Sequence, residues 1–364
     1  MIDKKDLSGD ILLKDNVVAS FVKGELTCLD KEKAPYLINR SKDLSLWLES
    51  RMMDDSRVNS RILKRILGLS SLAGIESVLF VNAASVTDRY WFRDAKTPGL
   101  KYDDVRIKTD AFFDVSLNGN PNGFTLKPEP TGDLTTTGSF EKGWHIENGH
   151  WYLYKKGTPE ELFSEKFIQE IGKCLGFDMA EYEICGKYIK SRSFAEELNL
   201  EHISSLVDDD ESYLRCYKAL CELGEPSLTE DYLRMLWLDT MCFNMDRHTG
   251  NIGILRDDQG KAIKLAPNYD NNIALISKGC VSDAQAVLKI FSDLYEELVC
   301  SDCKIAESFL KIVPDPVSQS VIDKAIDSAG GVPGGYKKSD VNSIVLAGQK
   351  YLTNLAERLI NRQV

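Results

Sequence analysis

Three oxygen-bearing side chains stand out by type and spacing. Asp246 and Asn251 lie five residues apart in the polar run Asn244-Met245-Asp246-Arg247-His248-Thr249-Gly250-Asn251, and Asp270 follows in Ala266-Pro267-Asn268-Tyr269-Asp270. An aspartate and an asparagine on one tight loop can aim at a single point. A carboxylate and an amide oxygen are hard ligands that suit Mg²⁺. With a second carboxylate after the next strand, the set matches what phosphoryl transfer from a nucleoside triphosphate requires: a group to accept the hydroxyl proton, oxygens to hold the metal, and close positioning. The pattern Asp-x-x-x-x-Asn recurs by chance in long chains, and Asp246 could equally be a plain turn residue. Its setting carries the reading, because the polar loop sits between an apolar helix and a short apolar strand.

Such chemistry also needs a lysine for the phosphates, held on a strand and paired with a glutamate of the next helix. Lys155 ends the apolar run Trp151-Tyr152-Leu153-Tyr154, and Glu165 lies on the helix that follows. Lys156 is the rival, and strand geometry lets only one of the two neighbours face a given side. No Gly-x-Gly-x-x-Gly loop precedes this strand. Thr135-Thr136-Thr137-Gly138-Ser139-Phe140-Glu141-Lys142 stands in its place, where Gly138, Ser139 and Lys142 are candidate phosphate contacts through backbone N–H groups and charge. The competing reading of this run is a solvent loop. Histidine titrates near neutrality, but His248 is read as a brace of the nucleotide-site loop rather than as the base. His145, His150 and His202 share no ligand spacing.

The elements that must position these residues follow from pattern. Residues 11–13, 17–22 and 25–29 predict a small antiparallel meander. Residues 43–53 and 57–69 predict helices, with Asp55 and Ser56 as caps and Arg57, Arg61, Lys64 and Arg65 as one solvated face. Residues 77–83 read as a strand, and 86–116 as aromatic-rich without a clear type. The Gly/Pro/Asn-rich stretch 118–138 is a boundary. Beyond it, 144–146 and 151–155 predict a hairpin across Asn148-Gly149. Thr158-Pro159-Glu160-Glu161 predicts a capping box opening a helix to about Cys174. A single strand is expected over 182–189, a helix over 212–222, and a second capping box at Ser227-Leu228-Thr229-Glu230. A hairpin is expected over 252–265. Helices should dominate to the end, broken near Pro314-Asp315-Pro316 and over 330–335. The fold class is therefore α+β. The expected organisation is an accessory β/α region (1–125), a smaller β-rich lobe (126–195) and a mainly helical lobe (196–364).

Composition narrows the function classes. The 364 residues are 43% hydrophobic and 28% charged, an ordinary globular balance. A net charge of −11 disfavours direct nucleic-acid binding. Nine cysteines without framework spacing argue against a disulfide scaffold. Cys300 and Cys303 lack the second pair a structural zinc site needs, so they read as ordinary cysteines of one helix. The polar start Met1-Ile-Asp-Lys-Lys-Asp offers no signal-peptide core, and no apolar run reaches the ~20 residues of a membrane span. A cytoplasmic location is expected.

The order of segments resembles the HipA-like Ser/Thr kinases of bacterial toxin–antitoxin systems, in their stand-alone form. The matching pieces are Thr136-Thr137-Gly138-Ser139-Phe140-Glu141-Lys142, Tyr152-Leu153-Tyr154-Lys155, Ser164-Glu165, Asn244-Met245-Asp246-Arg247-His248 with Asn251, and Ala266-Pro267 with Tyr269-Asp270. Leu46-Trp47-Leu48-Glu49-Ser50-Arg51 and Thr87-Asp88-Arg89-Tyr90-Trp91 are similar as well. The resemblance implies a two-lobed kinase fold, ATP and Mg²⁺ as cofactors, Asp246 as catalytic base, Asn251 and Asp270 as Mg²⁺ ligands and Lys155 as the phosphate-contacting lysine. It also implies a protein hydroxyl as acceptor, autophosphorylation within the hydroxyl-rich run Thr135, Thr136, Thr137 and Ser139, and a separate antitoxin-like partner. The stretch Ser191-Arg192-Ser193-Phe194 does not announce the adenine contacts. Two other classes share parts of the pattern: phosphoinositide or small-molecule kinases, and a degenerate kinase acting as a binding module. The absence of a basic membrane-facing run weakens a lipid substrate, and the intact Asp246, Asn251 and Asp270 set argues against decay.

Overall fold

The computed structural model describes residues 7–69, 74–207, 210–277, 279 and 284–363. The chain forms two compact units. One comprises Met1–Lys156, Lys190–Glu201 and Ile254–Ile263; the other comprises Gly157–Ile189, His202–Gly253 and Lys264–Val364.

In the first unit, β1 (Gly9–Leu13), β2 (Asn16–Val22) and β3 (Glu25–Cys28) form the expected meander, and β4 (Tyr90–Asp94) adds to the free edge of β1 in the order β3-β2-β1-β4. Alternation places Ile11, Leu13, Ala19, Phe21 and Phe92 on the buried face, and a register shift between Ile11 and Leu12 brings Val18 into the same cluster, against α1 (Tyr36–Ser41) and α2 (Leu44–Glu49). Asp43 caps α2 by accepting from Ser45 N–H at 2.7 Å. Next come α3 (Ser60–Ile66) and α4 (Ile75–Phe80).

Helix α4 replaces the strand expected over 77–83. Ile75, Val78 and Phe80 are strand formers, but Val78 and the C-cap residue Val81 are buried at a spacing of three and Ser77 Oγ donates to the Gly74 carbonyl at 2.7 Å. Left-handed backbone at Asn82 and Ala83 follows its end. Burial has overridden propensity here. The wet face expected over 57–65 holds for Arg61 and Arg65, which are exposed, and fails for the other two: Arg57 is 2% exposed and Lys64 is buried, whereas Val58 is 74% exposed. The turn before α3 shifts the helix register, and neither Asp55 nor Ser56 caps it; the cap position is Asn59, without a side-chain bond. Lys64 instead pairs with Asp55 at 2.6 Å.

The 86–116 stretch holds β4, α5 (Tyr102–Val105) and the start of α6 (Phe113–Asn118). Then β5 (Lys142–Glu147) and β6 (His150–Lys156) pair antiparallel across Asn148 and Gly149, both at positive φ, as the Asn-Gly turn requires. Arg256, from the segment 254–263 of this unit, is buried in its interior. It donates to the Ala34 carbonyl at 3.0 Å, pairs with the buried Glu201 and stacks 3.9 Å above the Tyr36 ring.

The second unit opens with α7 (Pro159–Cys174), whose capping box between Thr158 and Glu161 is formed in both directions. The strand expected over 182–189 is instead β7 (Tyr182–Cys185) and β8 (Tyr188–Arg192), separated by Gly186 at φ +64°. A glycine takes that φ readily and turns the chain between them. The first unit takes back the chain over 190–201, which holds most of β9 (Asn199–His202), a strand that the pattern does not announce, and again over 254–263. α8 (Tyr213–Glu222) is capped by Ser212. α9 (Pro226–Cys242) starts one residue before the expected capping box; Pro226 takes the first helical position, and the Thr229 hydroxyl bonds back to its carbonyl at 2.9 Å. β10 (Gly253–Arg256) and β11 (Ala262–Leu265) form the expected hairpin. α10 (Ala284–Cys300), α11 (Cys303–Ile312), α12 (Gln319–Ser328) and α13 (Lys338–Gln363) complete the chain. Cys300 and Cys303 lie on successive helices rather than one, both exposed.

Helix α9 is buried on nearly all sides, as suits the central helix of a bundle. Tyr295 of α10 donates to the Leu233 carbonyl at 2.7 Å, and Phe309 of α11 packs 5.5 Å from the Trp237 ring. Gly348 of α13 lets that helix touch the Met241 backbone, since a Cβ would sit 2.6 Å from the Met241 Cα. The C-terminal end of α9 is thereby fixed, and the next residues are those of chemical interest.

Candidate functional site

The second unit builds a site from two loops. α9 ends on Phe243 in the left-handed conformation, φ +53°. The chain then turns through 244–251, closing with a short 3-10 turn at Thr249–Asn251. Asn244 Oδ1 accepts from the Asp246 N–H at 3.1 Å, and Asn251 Nδ2 donates to the Asp246 carbonyl at 3.2 Å. The five-residue separation is thus a closed loop. Because the Asn251 amide nitrogen is directed at this carbonyl, its Oδ1 is the atom offered to a cation. His248 Nδ1 accepts from Gly250 N–H at 3.1 Å, a local brace, with the ring on an exposed residue. Thr249 Oγ1 donates to Glu211 at 2.7 Å.

The second loop follows β11. Asn268 is pinned by backbone bonds with Asp178 and Ala180, at 2.9 and 3.0 Å. Asp270 adopts φ +61°, a left-handed conformation that costs a non-glycine residue roughly 1–2 kcal/mol. The strain is held in place: Asp270 N–H donates to Glu165 Oε1 at 3.0 Å and reaches the Tyr182 hydroxyl at 3.3 Å. Glu165, on α7, is fully buried. Burial, then the neighbouring Glu165 charge, pushes the Tyr182 phenol well above its ordinary range, so it stays protonated.

Arg247 joins the loops. Its guanidinium is 1% exposed and forks onto Asp239 of α9 at 2.8 and 3.0 Å. Nη1 donates to the carbonyls of both Asn251 and Tyr269, each at 2.9 Å, so these two carbonyls are neighbours. Nη2 donates to Asn268 Oδ1 and Asn271 Oδ1, each at 2.8 Å. Asn244 Nδ2 bonds Asp239 and Asn271 at 2.9 and 3.1 Å. Two backbone bonds, Met245 N–H to Ile273 O and Leu275 N–H to Cys242 O, run alongside. The structure therefore brings the Asn251 end of one loop beside the Asp270 end of the other. Arg247, Asp239, Asn244 and Asn271 received no individual role from the sequence. The available signal was a charged Asp239 inside the apolar second half of the helix, Met235-Leu236-Trp237-Leu238-Asp239-Thr240-Met241-Cys242, eight residues before an arginine.

The donor set fits a hard cation: two carboxylates and an amide oxygen, partly open at Asp246 and Asp270. Among the described residues no group of three or more His, Cys, Asp or Glu side chains forms a metal cage. A cation here would complete its shell with phosphate and water oxygens, as Mg²⁺ commonly does.

The first unit carries the other candidates. Lys155 pairs in register with Lys142 across the hairpin, and its ammonium lies 5.0 Å from the Phe140 ring centroid. Lys156 faces the other way and pairs with Glu141 at 3.0 Å. Gly138 has φ +91°, and a Cβ there would lie 2.6 Å from Lys142 Nζ. Thr135 and Thr136 are buried with their hydroxyls bonded to the Ala84 and Gly132 carbonyls at 2.8 and 2.7 Å. Thr137, Gly138 and Ser139 are exposed.

No family profile matches the chain, and no curated protein matches it. Solved structures do. HipA of Shewanella oneidensis MR-1, determined with HipB and its operator DNA, superposes with a TM-score of 0.51 at 14% identity, covering 97% of each chain. The Helicobacter pylori proinflammatory kinase CtkA matches at 19% identity over 61% of this chain and 95% of its own, with a TM-score of 0.49. The chain has a HipA-like kinase fold of mixed α+β class. Among the described residues no helix is long and apolar enough to cross a membrane.

Proposed function

From that fold we propose that the chain is an ATP- and Mg²⁺-dependent protein kinase that transfers the γ-phosphoryl group to a Ser or Thr hydroxyl. The observation that carries the reading is Arg247, whose single Nη1 binds the Asn251 and Tyr269 carbonyls and so sets Asn251 beside the Asp270 loop. In this mechanism Asp246 takes the proton of the attacking hydroxyl. The bond from phosphorus to the β–γ bridging oxygen breaks, a bond to the acceptor oxygen forms, and ADP departs. Asn251 and Asp270 would hold Mg²⁺, which would supply neutralisation of the phosphate charge. Lys155 would contact the phosphates, and Gly138, Ser139 and Lys142 would cover them, while Glu165 serves the site by accepting from Asp270 N–H. His248 keeps the Asp246 loop in shape.

Autophosphorylation in the 135–139 run belongs to the same proposal, with Thr137 and Ser139 as the hydroxyls open to transfer in this conformation. A separate antitoxin-like chain is proposed as partner, by analogy with the HipB bound to the structural neighbour. The deciding experiment compares wild type with Asp246→Asn for γ-phosphate transfer, to protein acceptors and to itself. The variant should lose roughly 10²–10⁴-fold in rate; equal rates reject the mechanism.

A further inference from the structure

One buried arginine of the accessory region has no part in the mechanism above. Arg57 Nη1 donates to the Thr136 carbonyl at 3.3 Å, and Nη2 donates to the Lys142 carbonyl. These carbonyls are the two ends of the 136–142 loop. Ser116 Oγ of α6 sits between, accepting from Nη2 at 3.0 Å and donating to the Lys142 carbonyl at 3.0 Å. The charge feels the carboxylates of Asp133, Glu141 and Asp54, in that order; Asp133 is buried and accepts from Trp144 N–H at 3.3 Å and Thr131 Oγ1 at 2.8 Å. Trp144 Nε1 adds a third tie, to Thr136 Oγ1 at 2.9 Å. The base of the loop is therefore fixed, while its tip at 137–139 is exposed.

We propose that Arg57 is a positioning residue for the phosphate-covering loop, so that the accessory region is a working part of nucleotide binding rather than an appendage. A planar guanidinium can span two carbonyls at once; an ammonium is a point donor and cannot reproduce the fork. Fixing both loop ends beforehand removes an ordering cost from ligand binding. The proposal rests on the kinase reading of this loop, and its test separates the two.

The experiment uses the full chain with Arg57→Lys, and Ser116→Ala as a milder second variant that keeps the charge. Amide hydrogen exchange without nucleotide is read at 137–141 and, as a control, in β1. KM for ATP and kcat are read well below the melting temperature. Arg57→Lys should speed loop exchange about tenfold or more with β1 unchanged, and raise KM for ATP about tenfold while kcat moves far less, the pattern of lost uniform binding. Ser116→Ala should show the same pattern in smaller degree, and decides the matter if Arg57→Lys does not fold. A fall in melting temperature with unchanged loop exchange and unchanged KM overturns the proposal, leaving Arg57 as a core brace only. A wild type that binds no ATP overturns it too; faster loop exchange in the variant would then show that the anchor is real and the nucleotide reading is at fault.

Discussion

Replacing Arg247 with methionine removes the fork onto Asp239 and four further hydrogen bonds in one step. Methionine approximates the volume, so the loss is electrostatic. Asp239, 2% exposed, is left with the Asn244 amide still donating to it. Breaking a buried pair by deleting one charge costs about 3–5 kcal/mol, mostly from the stranded partner. Against a total stability of about 5–15 kcal/mol, that is a large share. Asp239→Asn alone strands the guanidinium and should cost a comparable amount. The double variant Arg247→Met/Asp239→Asn strands neither charge, so its loss should fall well short of the sum. Urea unfolding of the four proteins of the cycle gives the coupling, expected at about 2–3 kcal/mol. Additivity to within about 0.5 kcal/mol would refute the claim that the pair organises the two loops. The charge-neutral double variant should still transfer phosphate slowly, because the Asn251 and Tyr269 carbonyls have lost their common donor.

Two further outcomes follow from local geometry. Gly138→Ala must accept φ +91° and a Cβ crowding Lys142 Nζ, so affinity for a non-hydrolysable ATP analogue should fall about tenfold with a stability loss of only ~1–2 kcal/mol; equal affinity by calorimetric titration counts against phosphate contact at this loop. Asp258 sits in the first unit between Lys14, Arg89 and Asn199: burial pushes its carboxyl up, but the bonds from Lys14 and Arg89 outweigh this and hold it below the usual carboxylate range. A folded-state value below the unfolded one means the unfolded chain binds more protons, so this contribution is complete above about pH 4 and is lost as pH falls through the folded value. Asp258→Asn should therefore flatten the fall of melting temperature below about pH 4, and an unchanged acid slope would contradict the assignment.

Local rules were legible wherever local chemistry decides. The Thr158 capping box, the Asn148-Gly149 turn and the β1–β3 meander all follow from neighbouring residues, and they are present. The breaks at 314–316 and 330–335 are also where helices end. What escaped depends on distant partners. Helix α4 is written in strand-forming residues, and only burial of Val78 and Val81 makes it helical. Arg57 looks like a surface charge until carbonyls 79 and 85 residues away claim its donors. In the candidate site the acids and the amide could be picked out by type, but not the arginine that aligns their loops, since its acceptors come from three separate stretches of chain: Asp239, Asn251 and 268–271. Gly186 was a readable signal that an apolar run concealed.

The polypeptide passes from one unit to the other five times, and its short segments 190–201 and 254–263 are completed by residues far away in order. Arg256 belongs to such a segment, and its buried charge is answered by Glu201 from another. No single cut in the sequence can therefore release either half as a continuous piece. Truncation at 125 would part Arg57 from the Thr136 and Lys142 carbonyls, exchange of either unit would need several cuts, and the smallest transferable part of this chain is close to the whole of it.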